Sequence, residues 1–214
     1  MSYHWSPDFA PNDNCSYDEE LANGERASRN GRLAGVTEEN RQATIGQTAG
    51  DASSPIQIIE ADLRLPEHQE AVLAMVDAYS RDAMGEAKPL DPDVRARLIP
   101  GLQKHPTTLI FLAFEGDRPV GTAVCFIGFS TFAAKPLINI HDFVVLPASR
   151  GKGVGRRLLD AVEGKARGLG CCKLTLEVMD NNHQALRMYH AAGFVRYALQ
   201  EEAGSAIFMS KPLH

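Results

Sequence analysis

The chain is poor in the residue classes that mark several common kinds of protein. It has a single tryptophan, and its longest strongly apolar stretch, Leu109 to Phe114, is far too short to cross a bilayer. Its four cysteines are Cys15, Cys125 and the adjacent Cys171 and Cys172. None shows the C-x-x-C spacing of a zinc or redox site, and neighbouring cysteines in one strand rarely bridge each other, so reduced, partly buried thiols are expected. A basic excess is also lacking: 22 Lys and Arg face 27 Asp and Glu, a net charge of -5. That balance argues against a nucleic-acid binder, which normally shows a basic stripe. The opening Met1-Ser2-Tyr3-His4 has neither a basic n-region nor an apolar h-region, so no secretory signal and a cytoplasmic location are expected.

The 214 residues suffice for one domain with a proper core, not for two large ones. The acidic surplus lies wholly in residues 1–54, which hold nine acidic and four basic side chains; the remainder is neutral. This segment is rich in Asn, Asp, Glu, Ser, Gly and Arg and lacks sustained periodicity. It can bury too little apolar surface to offset its ordering entropy, and a disordered extension is expected, with a fleeting helix around 37–42. Trp5, Phe9 and Tyr17 read either as a small docking motif or as incidental aromatics.

From Ile56 the pattern becomes that of a folded domain, 55–214. Ile56, Ile58 and Ala61 open a short strand. A helix follows over about 66–81 with Pro66 at its start, and a second over 91–104 with Asp91 at the N-cap. Strands are predicted over 107–115, 120–129 and 137–145, the first two joined by the turn Glu115-Gly116-Asp117-Arg118. A helix over 153–169 carries the stripe Val154, Leu158, Ala161, Val162, Ala166 and Leu169, closed by Gly170. A strand over 173–178, a helix over 182–192 and a final strand pair, 194–199 and 206–209, complete the order β-α-α-β-β-β-α-β-α-β-β. This is an α/β fold, a mixed sheet with helices on both faces.

The most informative stretch is Val144-Val145-Leu146-Pro147-Ala148-Ser149-Arg150-Gly151-Lys152-Gly153-Val154-Gly155-Arg156-Arg157, where a strand ends, alternating glycines follow and a helix begins. Glycines let a backbone approach a ligand closely. The first amides of a helix lack intrahelical acceptors and sit at the positive end of its dipole. The arrangement suits a pyrophosphate, with Arg150, Lys152, Arg156 and Arg157 adding positive charge. A P-loop would need Lys-Ser or Lys-Thr where Arg156-Arg157 stand, and G-x-G-x-x-G would need a small residue at 156. The alternative is an ordinary glycine-rich turn capped by surface charges.

Arg150-x-x-Gly153-x-Gly155 after a Val-x-Pro strand end resembles the coenzyme A signature of GNAT acetyltransferases. The stretch from Asn182 to Phe194 resembles their closing motif, N-x-x-A-x-x-x-Y-x-x-x-G-F, with Ala185 and Tyr189 on one helix face. The resemblance covers about 55–210 in element order. It implies a GNAT-like, mostly antiparallel central sheet and acetyl-CoA as cosubstrate, with no metal. Arg150, Gly151, Lys152, Gly153, Val154, Gly155 and Arg156 would cradle the pyrophosphate. Asn182 and Ala185 would face the pantetheine arm, and the backbone of Phe143, Val144 and Val145 the thioester. It implies Tyr189 as the acid that protonates the departing thiolate, a role that suits a phenol protonated at neutral pH; the alternative is a core tyrosine with a satisfied hydroxyl.

Phe129 to Val145, an aromatic-bearing loop that feeds a strand, is similar to spermidine/spermine and thialysine N-acetyltransferases, except that His141 stands where they carry an acidic residue. An ammonium has no lone pair, so the acceptor must lose a proton. His141 reads either as the base that takes it, through water, or as a packed strand histidine. Asp142 is expected on the opposite face, as strand side chains alternate. Asp82 and Glu86 read either as an attraction for a cationic amine or as solvated loop carboxylates. The expected activity is acetylation of a small-molecule primary amine by direct attack in a ternary complex. A protein or peptide amine acetyltransferase and a catalytically silent coenzyme A sensor are the alternatives. Dimerisation is carried over from those relatives by analogy alone. A chain beginning at Ser54 is expected to unfold in one cooperative transition and keep full turnover; precipitation or loss of the transition would put residues 1–54 inside the fold.

Overall fold

The structure, a computed structural model, describes residues 54–197 and 206–213. The expectations for residues 1–53 lie outside them. Ten elements follow one another: β1 (Ile56–Glu60), α1 (Pro66–Arg81), α2 (Pro92–Lys104), β2 (Thr108–Glu115), β3 (Arg118–Ser130), β4 (Lys135–Val145), a single 3-10 turn (Pro147–Ser149), α3 (Val154–Gly168), β5 (Leu174–Leu176) and α4 (His183–Ala191). The strands form one sheet in the order β1-β2-β3-β4-β5. Successive pairs are antiparallel from β1 to β4, and β5 runs parallel to β4. The mixed, mostly antiparallel α/β fold is as expected.

Both faces of the sheet are covered, which is why β2 reads as an uninterrupted apolar run. Its Leu109, Phe111 and Ala113 join Val154, Leu158, Val162 and Tyr189 in a core under α3 and α4. Its Ile110 and Leu112 join Val72, Met75, Ile99 and Leu102 under α1 and α2. Pro66 begins α1, and the Asp91 side chain caps α2 by accepting from the Asp93 amide at 2.9 Å.

The period breaks inside β4. Val124 of β3 faces Asp142, but its neighbour Cys125 faces Ile140, so His141 is an extra residue with no counterpart. Ile138 and Ile140 lie in the α3/α4 core, whereas Val144 lies in the α1/α2 core. Strict alternation would have put all three on one face. The bulge exchanges the faces of β4 halfway along its length.

Two expectations fail. Of the expected strand pair, residues 198–199 lie outside the described residues; 194–197 and 206–209 form no strand, and Val195, Ile207 and Phe208 are 85%, 78% and 76% exposed. Strand propensity needs a partner to be realised, and β5 offers an edge of only three residues. Leu169 is 42% exposed because it is the residue at which α3 ends, while Leu159, outside the expected stripe, is 2% exposed. Leu112→Ala is therefore expected to cost about 2–5 kcal/mol by urea denaturation and Leu169→Ala less than about 0.5. Equal losses would refute this division of core and surface.

Candidate active site

The site begins where the sheet opens. β5 pairs with β4 only at Ile138↔Leu174, Asn139↔Thr175 and Ile140↔Leu176. Among the described residues, β4 from Asp142 to Val145 has a strand partner on its β3 side alone. The backbone groups of Phe143, Val144 and Val145 that point away from β3 are thus left without a ladder, beside the loop that leads into α3.

That loop is built for a close approach. Gly151 and Gly153 have φ of 75° and 78°, in the left-handed region that favours glycine. A Cβ at either would meet nothing within 4 Å, so both are set by backbone conformation and by the space in front of them. Gly153 caps α3 without any side-chain acceptor, and the first helical bond runs from the Arg157 N–H to the Gly153 carbonyl, 3.1 Å. The amides of Val154, Gly155 and Arg156 therefore have no intrahelical acceptor and stand at the positive end of the helix. These features fit an anionic group such as a pyrophosphate. Gly155 has a further role: a Cβ there would lie 2.6 Å from Met188 Sδ, so its small size also lets α3 and α4 pack.

The cations of the loop are less free than their sequence suggests. Arg150 donates to Asp82 Oδ2 at 2.6 Å and to the Val145 carbonyl at 2.9 Å. Lys152 lies 3.6 Å from Glu115. Arg156 donates to Asp160 at 2.7 Å and to the Ala191 carbonyl at 3.1 Å. Such exposed pairs are weak, so their cations remain recruitable by a polyanion. In this structure neither Asp82 nor Glu86 is a free carboxylate, since Asp82 holds Arg150 and Glu86 holds Lys88 at 3.0 Å.

On α4, the Asn182 side chain accepts from the Ala185 amide at 3.2 Å, which caps the helix and leaves the carboxamide N–H₂ to donate elsewhere. The helix closes at Gly193, φ 88°. The Phe194 amide donates to the Tyr189 carbonyl at 2.9 Å and the Gly193 amide to the His190 carbonyl at 3.0 Å, a Schellman motif. Its usual apolar contact is made by Phe194 against Tyr189, ring centroids 5.7 Å apart, and Phe143 closes on the tyrosine from β4 at 6.0 Å. The spacing of tyrosine, glycine and phenylalanine is thus the geometry of a helix end that grips one ring. Tyr189 is 7% exposed, yet among the described residues its hydroxyl has no hydrogen-bond partner and is not fully covered. Burial, and then the neighbouring Tyr79, push that hydroxyl well above its ordinary pKa, so it stays protonated.

The bulge sets the other side of the site. His141 is exposed, with its ring edge-on to Phe126 at 5.5 Å. Asp142 shares the α1/α2 face with Val144, contrary to the expectation that it would turn away from His141. Half-buried, it accepts no hydrogen bond from any described residue. Burial raises its carboxyl above the ordinary value, against the opposing pull of His141. Tyr79 of α1 is raised by burial, then by Asp142 and Asp82. Sequence reasoning missed both residues: Tyr79 reads as one more position of a helical stripe, and the bulge that redirects Asp142 has no local signature. A half-buried carboxylate without a partner and with a raised pKa is a candidate functional group. Its cost sets in as pH rises above the ordinary carboxylate pKa and is complete above the raised one. Asp142→Asn is expected to raise the melting temperature at pH 7, with the gain vanishing as pH falls below 4; a loss at pH 7 would show that the carboxylate is satisfied.

Residues 72–194 match the family described as Acetyltransferase (GNAT) family. Thialysine N-epsilon-acetyltransferase of Caenorhabditis elegans is 24% identical over 142 residues, 64% of this chain and 82% of that protein. N-alpha-acetyltransferase RimI of Mycobacterium tuberculosis is 37% identical over 89 residues, 41% of this chain and 54% of that protein. Among solved structures, AAC(6')-Iy in complex with a bisubstrate analog, CoA-S-monomethyl-acetylneamine, superposes with a TM-score of 0.57 at 19% identity, over 75% of this chain and 100% of that one. Among the described residues no group of His, Cys, Asp and Glu is arranged to hold a metal ion, and no helix is long and apolar enough to cross a membrane. With the family matched across more than half of its length, the chain belongs to the GNAT acetyltransferases, acetyl-CoA-dependent acyltransferases.

Proposed function

We propose that the chain transfers acetyl from acetyl-CoA to the primary amine of a small molecule, by direct attack in a ternary complex. The observation that carries this reading is the Tyr189 hydroxyl: without a partner among the described residues, gripped beside the open edge of β4, and held protonated by burial. The α3 N-terminus and Gly151, Gly153 and Gly155 hold the pyrophosphate, while Asn182 and Ala185 flank the pantetheine arm. A backbone N–H of Phe143 or Val144 donates to the thioester carbonyl as negative charge grows on its oxygen.

Asp142 draws the ammonium to the bulge and His141 accepts one of its protons through water, freeing the lone pair. The nitrogen attacks the carbonyl carbon, the C–N bond forms and the C–S bond breaks. The nitrogen sheds its second proton to water as the C–S bond breaks, and Tyr189 gives its own proton to the departing sulfur and is reprotonated from solvent. The match to RimI, named an N-alpha-acetyltransferase, supports a second reading in which the amine belongs to a peptide. Free amines and peptides compared in one thiol-release assay separate the two.

Tyr189→Phe keeps the ring and removes only the donor. It is expected to lower kcat by about 10²–10⁴ while coenzyme A affinity, measured by calorimetry, stays nearly unchanged. His141→Ala is expected to lose most activity near neutral pH and recover as the amine deprotonates unaided at high pH. A fully active Tyr189→Phe would remove the basis of these roles, and an unchanged pH profile would leave His141 as packing.

A further inference from the structure

An apolar groove of about 320 Å³ runs along α2, lined by Val94, Leu98, Gly101, Leu102, His105 and Phe126. Arg97 at its rim is held by Asp93 at 2.6 Å. Phe126 belongs to both this groove and the bulge: its ring lies 4.8 Å from that of His105 and 5.5 Å from that of His141. The groove therefore reaches the residues to which the acceptor amine is assigned above.

The carboxylates around it each have a partner in this structure. Asp77 receives Arg81 at 2.9 Å and the Leu90 amide at 3.0 Å. Asp82 receives Arg150, Glu86 pairs with Lys88, Asp91 caps α2 and Asp93 pairs with Arg97. From Asp77 to Asp93 every carboxylate has a partner, whereas Asp142 on this face of β4 accepts no hydrogen bond from any described residue. The groove itself is lined by no carboxylate, so a second ammonium group lying in it would find no anionic partner there.

On the acetyltransfer reading above, we infer that the acceptor is a primary monoamine with an apolar alkyl or aryl portion, the amine at Asp142 and the apolar portion in the groove along α2. Transfer of each methylene into such a groove favours binding by about three- to fourfold.

The experiment is steady-state kinetics of the full chain with acetyl-CoA and ethylamine, butylamine, hexylamine, phenethylamine, lysine or spermidine. Expected is a rise in kcat/KM of about threefold per methylene from ethylamine to hexylamine, with lysine and spermidine below hexylamine. Gly101→Leu supplies the second arm. A Cβ at Gly101 meets nothing within 4 Å, so the leucine enters the groove without strain, and an unchanged melting temperature checks this. It should raise the KM of hexylamine by about tenfold or more and leave those of ethylamine and acetyl-CoA unchanged. A flat dependence on chain length, a preference for spermidine, or an unaltered hexylamine KM in G101L overturns the inference and leaves acetyltransfer standing. No thiol release with any amine overturns acetyltransfer to small amines itself, and the inference with it.

Discussion

One inserted residue in one strand, His141, organises the centre of the molecule. Before it, β4 sends Ile138 and Ile140 into the core beneath α3 and α4; after it, Val144 enters the opposite core. The same change of face carries Asp142 to the side of α1, near Tyr79. Just beyond the bulge, β5 no longer accompanies β4, so the strand offers bare backbone to one side and acidic chemistry to the other. A regular strand would have packed one face throughout and left no such meeting point.

Around this opening the two flanking helices contribute by their ends rather than their lengths. α3 contributes its first turn, where Gly153 supplies a backbone cap and no competing side chain. α4 contributes its last turn, where the closing hydrogen bonds at Gly193 and the Phe194 ring hold Tyr189 in place. Helix ends are where backbone polarity is unspent and where geometry is most tightly determined by sequence.

This explains what could be read in advance. The loop at Gly151 and Gly153 and the Tyr189-to-Phe194 motif are local: a few consecutive residues specify their own dihedrals and hydrogen bonds, and the structure shows both. The two long strands β2 and β3 and the four helices were legible from periodicity for the same reason. Asp142 was not, since its direction depends on a register shift between strands whose pairing no single segment encodes. The final strands were expected from apolar content at Ile207, Phe208 and Met209, but content does not supply a pairing edge. Nor does a list of basic residues reveal that Arg150, Lys152 and Arg156 already have carboxylate neighbours.

The contact between Arg150 and Asp82 spans 68 residues of sequence and joins the loop at the head of α3 to the end of α1. It makes the two halves of the proposed site parties to a single ion pair. A phosphate that takes Arg150 for itself does so in competition with Asp82, and thereby changes the electrostatic setting of the loop on the amine side. Linkage is symmetrical: whatever factor the first ligand imposes on the affinity of the second, the second imposes on the first. Through that one guanidinium, the loop at the head of α3 and the loop after α1 share a single free-energy account.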